Sequence, residues 1–138
     1  MFVLDMTTEK WMGNKNQSDF IENPSWSQIE TAIRELDGES KTLVTLGIDE
    51  DTYMSIGGGA NKYIVITFDN FNFYVLTSFP ESEQIQTLVV GGQNGNYPAN
   101  QCVDSLHCLL AARTFTESGK LDTLLTWQED KSLAFASS

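Results

Sequence analysis

The sequence predicts an α+β domain, an antiparallel sheet of about five or six strands packed against two helices. Short β-rich runs over residues 42–90 follow one another through brief linkers, as in an antiparallel meander. Two other stretches, residues 24–36 and 104–118, carry apolar residues at helical spacing between cap signals. A chain of 138 residues with 41% hydrophobic content has enough apolar area for one core. We therefore expect a single domain over residues 1–138, with its core at 22–129 and a flexible tail at 131–138.

In chain order, residues 1–6 suit a short strand. Residues 7–22 are rich in Asn, Gln and Lys and read as an irregular loop, with Trp11 as an anchor. A helix starts next: Asn23 is a candidate N-cap before Pro24, while Ser25 with Gln28 offers a competing capping box. Trp26, Ile29, Ile33 and Leu36 form its buried stripe, and Asp37-Gly38 ends it.

Strands follow at 42–48 and 53–56, joined by the turn Asp49-Glu50-Asp51. Gly57-Gly58-Gly59 lets the chain bend or approach another backbone closely. Residues 62–69 alternate with apolar groups on both sides, so both faces of that strand are expected to be covered. Asp69-Asn70 turns the chain into 71–78 as a hairpin. Residues 79–83 break the pattern, 84–90 restart it, and 91–98 form a glycine-rich loop. The second helix runs over 104–118, capped by Asp104 or Ser105 and stopped by Gly119, with Cys108, Leu109, Ala112 and Phe115 on its apolar face. Leu124, Leu125 and Trp127 suggest a last short strand or a clamp across the core.

Nineteen carboxylates face eight lysines and arginines, a net charge of −11. Such a surface repels nucleic acid and anionic membrane and draws in basic partners. Only two cysteines occur, which is no disulfide framework and suits a reducing cytoplasm. The amino terminus lacks the basic region of a signal peptide, and no apolar run approaches the roughly 20 residues that span a bilayer.

Catalytic signals are weak. His107, the one histidine, has at most Cys102 or Cys108 and Asp104 nearby, short of the four ligands of a closed zinc site. Cys108 reads as a small core residue. Gly57 to Lys62 lacks the Gly-Lys-Ser/Thr that opens a phosphate-loop helix. Asp49 to Ala60 has neither the glycine nor the glutamate of a calcium loop. No Gly-x-Ser-x-Gly elbow is present. We expect no catalytic residue, no metal and no cofactor, although convergent carboxylates stay open. Phe71, Phe73 and Tyr74, with Tyr97 further on, divide between core and interface.

One combination is more distinctive. It joins Gly91-Gly92-Gln93-x-Gly95-x-Tyr97-Pro98, Ala111-Ala112-x-x-Phe115, Gly119 and Leu125-Thr126-Trp127. Upstream stand Trp26 with Ile29, Leu36-Asp37-Gly38 and Ile56-Gly57-Gly58-Gly59. Over residues 24–129 this resembles the Imm1 family of bacterial immunity proteins of polymorphic toxin and contact-dependent inhibition systems. The resemblance implies a cytoplasmic α+β protein, not an enzyme, that neutralises a cognate toxin domain, commonly a nucleic-acid deaminase or nuclease. The partner is then a basic protein, bound by a monomer as a heterodimer. The contact candidates are loop residues with charged, amide or aromatic groups: Asp49, Glu50, Asp51, Asp69, Asn70, Phe71, Glu81, Glu83, Gln93, Asn94 and Tyr97. The competing classes are a small acidic secretion chaperone holding an effector segment, and an enzyme built on two carboxylates.

Overall fold

The computed structural model describes residues 2–78 and 84–130. Glu81 and Glu83, with the tail at 131–138, lie outside the described residues. The main sheet has seven strands in the order β2-β1-β3-β4-β5-β6-β9, each antiparallel to its neighbours. Its strands are β1 (Asp5–Met12), β2 (Lys15–Glu22), β3 (Lys41–Asp49), β4 (Thr52–Gly59), β5 (Lys62–Asp69), β6 (Asn72–Thr77) and β9 (Thr126–Glu129). A separate hairpin pairs β7 (Ile85–Val90) with β8 (Gln93–Pro98).

Seven strands exceed the expected five or six because residues 7–22 are not a loop. They form the β1–β2 hairpin, registered from Asp5 opposite Glu22 to Met12 opposite Lys15, and turn at Gly13 with φ +66°. β2 is an edge strand whose residues are almost all exposed, so it carries no apolar alternation to read. Its backbone bonds to β1 make it a strand.

The two helices, α1 (Trp26–Arg34) and α2 (Ser105–Ser118), contribute to the core on one face of the sheet. Ser25, not Asn23, caps α1. Its hydroxyl accepts from the Gln28 amide at 3.1 Å, and the Gln28 side chain accepts from the Ser25 amide at 2.8 Å. Asn23 has φ +49°, a turn conformation. Ile29 and Ile33 are buried, each stabilising by roughly 1.5–3 kcal/mol. α1 stops at Arg34, earlier than Asp37-Gly38, because the Asp37 carboxylate organises a separate turn by accepting from the amides of Glu39, Ser40 and Lys41.

α2 starts where expected, with Asp104 as N-cap accepting from the His107 amide at 2.9 Å. It ends at Gly119, φ +71°. Small Cys108, Ala111 and Ala112 let α2 approach the sheet, and Phe115 fills the core beside Met6, Leu46, Met54, Ile56 and Leu76.

The opposite face is half covered. Residues 91–98 are not a loop but the turn and second strand of the β7–β8 hairpin, with Gly91 and Gly92 both at positive φ. This strap crosses from the end of β6, where the Ser78 amide donates to the Asn100 carbonyl at 2.6 Å, to the start of β3, where the Gly92 amide donates to the Thr42 hydroxyl at 2.9 Å. Leu88 packs with Ile64 and Val75. Val90 sits over Gly57 so closely that a Cβ there would lie 2.5 Å from Val90 Cγ1. The last strand, β9, pairs with β6 and holds Trp127, whose indole donates to the Asp122 carbonyl at 3.1 Å. Among the described residues no helix is long and apolar enough to cross a membrane.

Candidate functional site

The antiparallel order of β3, β4, β5 and β6 places two turns side by side at one end of the sheet. The Asn70 amide donates to the Asp51 carbonyl at 3.3 Å, and the Thr52 hydroxyl reaches Asp69 Oδ1 at 3.5 Å. Within the first turn the Asp51 amide donates to Asp49 Oδ1 at 2.8 Å. Asp49, Glu50, Asp51, Asp69, Asn70 and Phe71 are thereby brought together, and all are exposed. Gln93 and Asn94 lie elsewhere, at the strap turn beside the start of β3, roughly 20 Å away along a strand of that length. Tyr97 is partly buried beneath the strap against the Ile64–Val75–Leu88 cluster, and this burial raises its phenol pKa.

The lysines of the strands gather at the end away from the acidic turns, where Glu9 also lies. β1 carries Asp5 toward the acidic turns and Lys10 toward the far end. β2 has Glu22 and Lys15 in the same sense. β3 runs from Lys41 to Asp49, and β5 from Lys62 to Asp69. Glu129 of β9 and then Asp130 also lie toward the acidic end, where the Asp130 amide donates to the Phe73 carbonyl. The ion pairs among the described residues are Arg34–Glu30, Lys41–Glu35, His107–Asp104 and Arg113–Glu117. None involves Asp5, Asp49, Glu50, Asp51 or Asp69.

An aromatic row lies beside the acids on the face that carries no helix. Tyr53 and Phe68 are cross-strand partners with centroids 5.4 Å apart, and Phe68 and Phe73 pair likewise at 4.7 Å. Phe71 meets Phe68 edge-on at 6.3 Å and 89°. It is 71% exposed and has φ +69°, a conformation that bulky side chains rarely adopt. Continuing the same row beyond Tyr53 are Gly47 and then Asp5. The Asp5 carboxylate occupies the space over Gly47: a Cβ there would sit 3.2 Å from its Cγ. Sequence reasoning missed Asp5, Tyr53 and Phe68, whose common signal is position in one cross-strand row.

Elsewhere, His107 is exposed and its Nδ1 lies 2.6 Å from Asp104 Oδ1 at the helix cap. The Cys108 thiol is pushed up to about 12 by burial, with the Asp104 charge adding to it, so it is a core group. Among the described residues no cluster of histidine, cysteine and carboxylate side chains is arranged to hold a metal. A groove of about 700 Å³ runs between α1 and the β1–β2 hairpin, lined by Met6, Ile21, Gln28, Thr31, Leu36 and Val44 among others.

An α+β domain whose clustered turn carboxylates take part in no ion pair among the described residues belongs, as a class, with small acidic proteins that present a charged face. The family model "Immunity protein Imm1" matches residues 17–129, from within β2 to the end of β9, and the chain belongs to the Imm1 immunity protein family. No curated protein matches the chain.

Proposed function

We propose that this protein binds and neutralises a cognate toxin domain by stoichiometric occlusion, performing no chemistry itself, with the acidic end of the sheet facing the toxin. Membership of the Imm1 family supports the immunity role. The observation that carries the docking surface is the convergence of Asp49, Glu50, Asp51 and Asp69, which take part in no ion pair among the described residues. A toxin that acts on nucleic acid, a deaminase or nuclease, presents a basic groove for phosphates. An acidic surface competes for that groove, and complementary charge accelerates association above the neutral range of about 10⁵–10⁶ M⁻¹s⁻¹. The working state is a cytoplasmic monomer that forms a heterodimer with the toxin. Glu81 and Glu83 remain contact candidates on sequence grounds, as do Gln93, Asn94 and Tyr97.

The test is growth of cells co-expressing this protein with the toxic domain encoded beside it. Wild-type protein rescues growth, and D49K/E50K/D51K loses rescue while remaining folded. Q93K/N94K, at the strap turn, is the control for the competing candidates Gln93 and Asn94, and it keeps rescue where the acidic end alone faces the toxin. Loss of rescue in the control alone would move the interface to the strap.

A further inference from the structure

We infer that the outer edge of β2 docks a second copy of this chain, whose own β2 pairs with it antiparallel about Ser18. The pairing needs no toxin and leaves the acidic turns of both copies open.

β2 closes the main sheet on one side, and among the described residues nothing pairs with its outer edge. It runs for 8 residues, without proline and without a bulge in its register with β1, whereas the strand at the opposite edge, β9, has 4. The Gly13-Asn14 turn makes Met12 and Lys15 a hydrogen-bonded pair, so the odd-numbered residues of β2 bond to β1. The Asn23 amide, which donates to the Leu4 carbonyl at 2.8 Å, keeps the same phase. Asn16, Ser18 and Phe20 therefore turn their amides and carbonyls outward. Phe20, 61% exposed, adds an apolar group to this edge.

Charge selects the occupant and the register. Ile21 stands opposite Met6 and packs on the core, so Lys15, Gln17, Asp19 and Ile21 share the face that carries the helices. Two copies related by a two-fold axis normal to the sheet keep that face in common, and the axis then passes through one residue position. Of the two axes that keep the most residues of β2 paired, the one at Asp19 sets two Asp19 carboxylates against each other. The axis at Ser18 avoids this. It pairs Gln17 with Asp19 and Lys15 with Ile21, and it brings each Lys15 diagonal to Asp19 of the other copy, within reach of a long side chain. The pairing is also head to tail, so the end of each copy that gathers the strand lysines lies alongside the Asp5 and Glu22 end of the other. The charges of β2 thus discourage arbitrary strands and are met by a second copy. A single ladder buries less than the roughly 1,200–2,000 Å² of a standard interface, so the pairing is weak and the working monomer is its dilute form.

Sedimentation of the isolated full chain at about 5–500 µM tests the edge. The expected result is a mass that rises with concentration from that of one chain toward that of two. Ser18→Pro, which removes an outward amide, should weaken association at least about tenfold and leave the urea midpoint unchanged. Lys15→Asp and Asp19→Lys should each weaken it at least about threefold, whereas their equimolar mixture should associate more tightly than either variant alone. Net charge by itself would rank the mixture between the two variants, and that ranking would overturn the register. A monomer at every concentration, or undiminished association of folded Ser18→Pro, would overturn the edge. Where Ser18→Pro fails to fold, the charge exchange decides.

Discussion

The Asn70 amide donates to the Asp51 carbonyl at 3.3 Å, tying the β5–β6 turn to the β3–β4 turn. Asn70 lies nineteen positions after Asp51, yet this bond makes one surface of the two turns' carboxylates. Like charges so close repel one another, and the folded chain bears that cost through packing elsewhere. Among the described residues none of these acids takes part in an ion pair, which is the arrangement the proposed basic partner would use.

The strap gives a stability prediction. Gly57→Ala places a methyl against Val90 and should destabilise the fold by about 1–3 kcal/mol. Adding Val90→Ala removes the clash, so the double variant should lose less than the sum of the single changes by at least about 0.5 kcal/mol. Urea unfolding of all four proteins measures this, and strict additivity would separate the two residues.

The two thiols should differ in reactivity. Cys108 is fully buried with its pKa near 12, whereas Cys102 is only partly buried. A thiol reagent at about pH 8 should therefore label Cys108 only on unfolding, at a rate that follows global opening. Cys108→Ser places a hydroxyl in the apolar core and should cost about 1–3 kcal/mol.

Acid dependence follows from two carboxylates. At Asp37, partial burial acts upward, but hydrogen bonds from Glu39, Ser40 and Lys41 hold the net pKa below the ordinary 3.8. At Asp104, the His107 amide and then its ring hold it below the same value. Because the folded pKa of each is the lower one, its stabilisation is complete above the unfolded value and is lost as pH falls through the folded value. Asp37→Asn and Asp104→Asn keep a hydrogen-bond acceptor but remove the titration. Each variant should be less stable than wild type at about pH 6, with the gap narrowing below pH 3.8. Urea midpoints across pH measure this, and a constant gap would contradict it.

Local chemistry made α2 readable, since Asp104, the Cys108–Phe115 face and Gly119 each act within a few residues of their partners. The hairpins around Asp49–Asp51 and Asp69–Phe71 were readable for the same reason. β2 was not: its edge position leaves both faces wet, so pairing with β1 decides its conformation without an apolar pattern. Residues 91–98 misled because glycines that suit a loop also make room, as at Gly92 beneath Trp11. At the candidate site, the turn residues carried visible charge, whereas Asp5 and Tyr53 join it only through a register spanning β1, β3 and β4. The gathering of the strand lysines at one end is likewise a product of that register.

Capture of a basic toxin by the acidic end makes the association rate constant depend on salt concentration, and stopped-flow measurement across salt reads that dependence. Wild-type protein should associate fast at low salt and slow steeply as salt rises, while D49K/E50K/D51K should associate at least about tenfold more slowly with a flatter dependence. Identical rates and identical salt slopes for the two proteins would contradict the account.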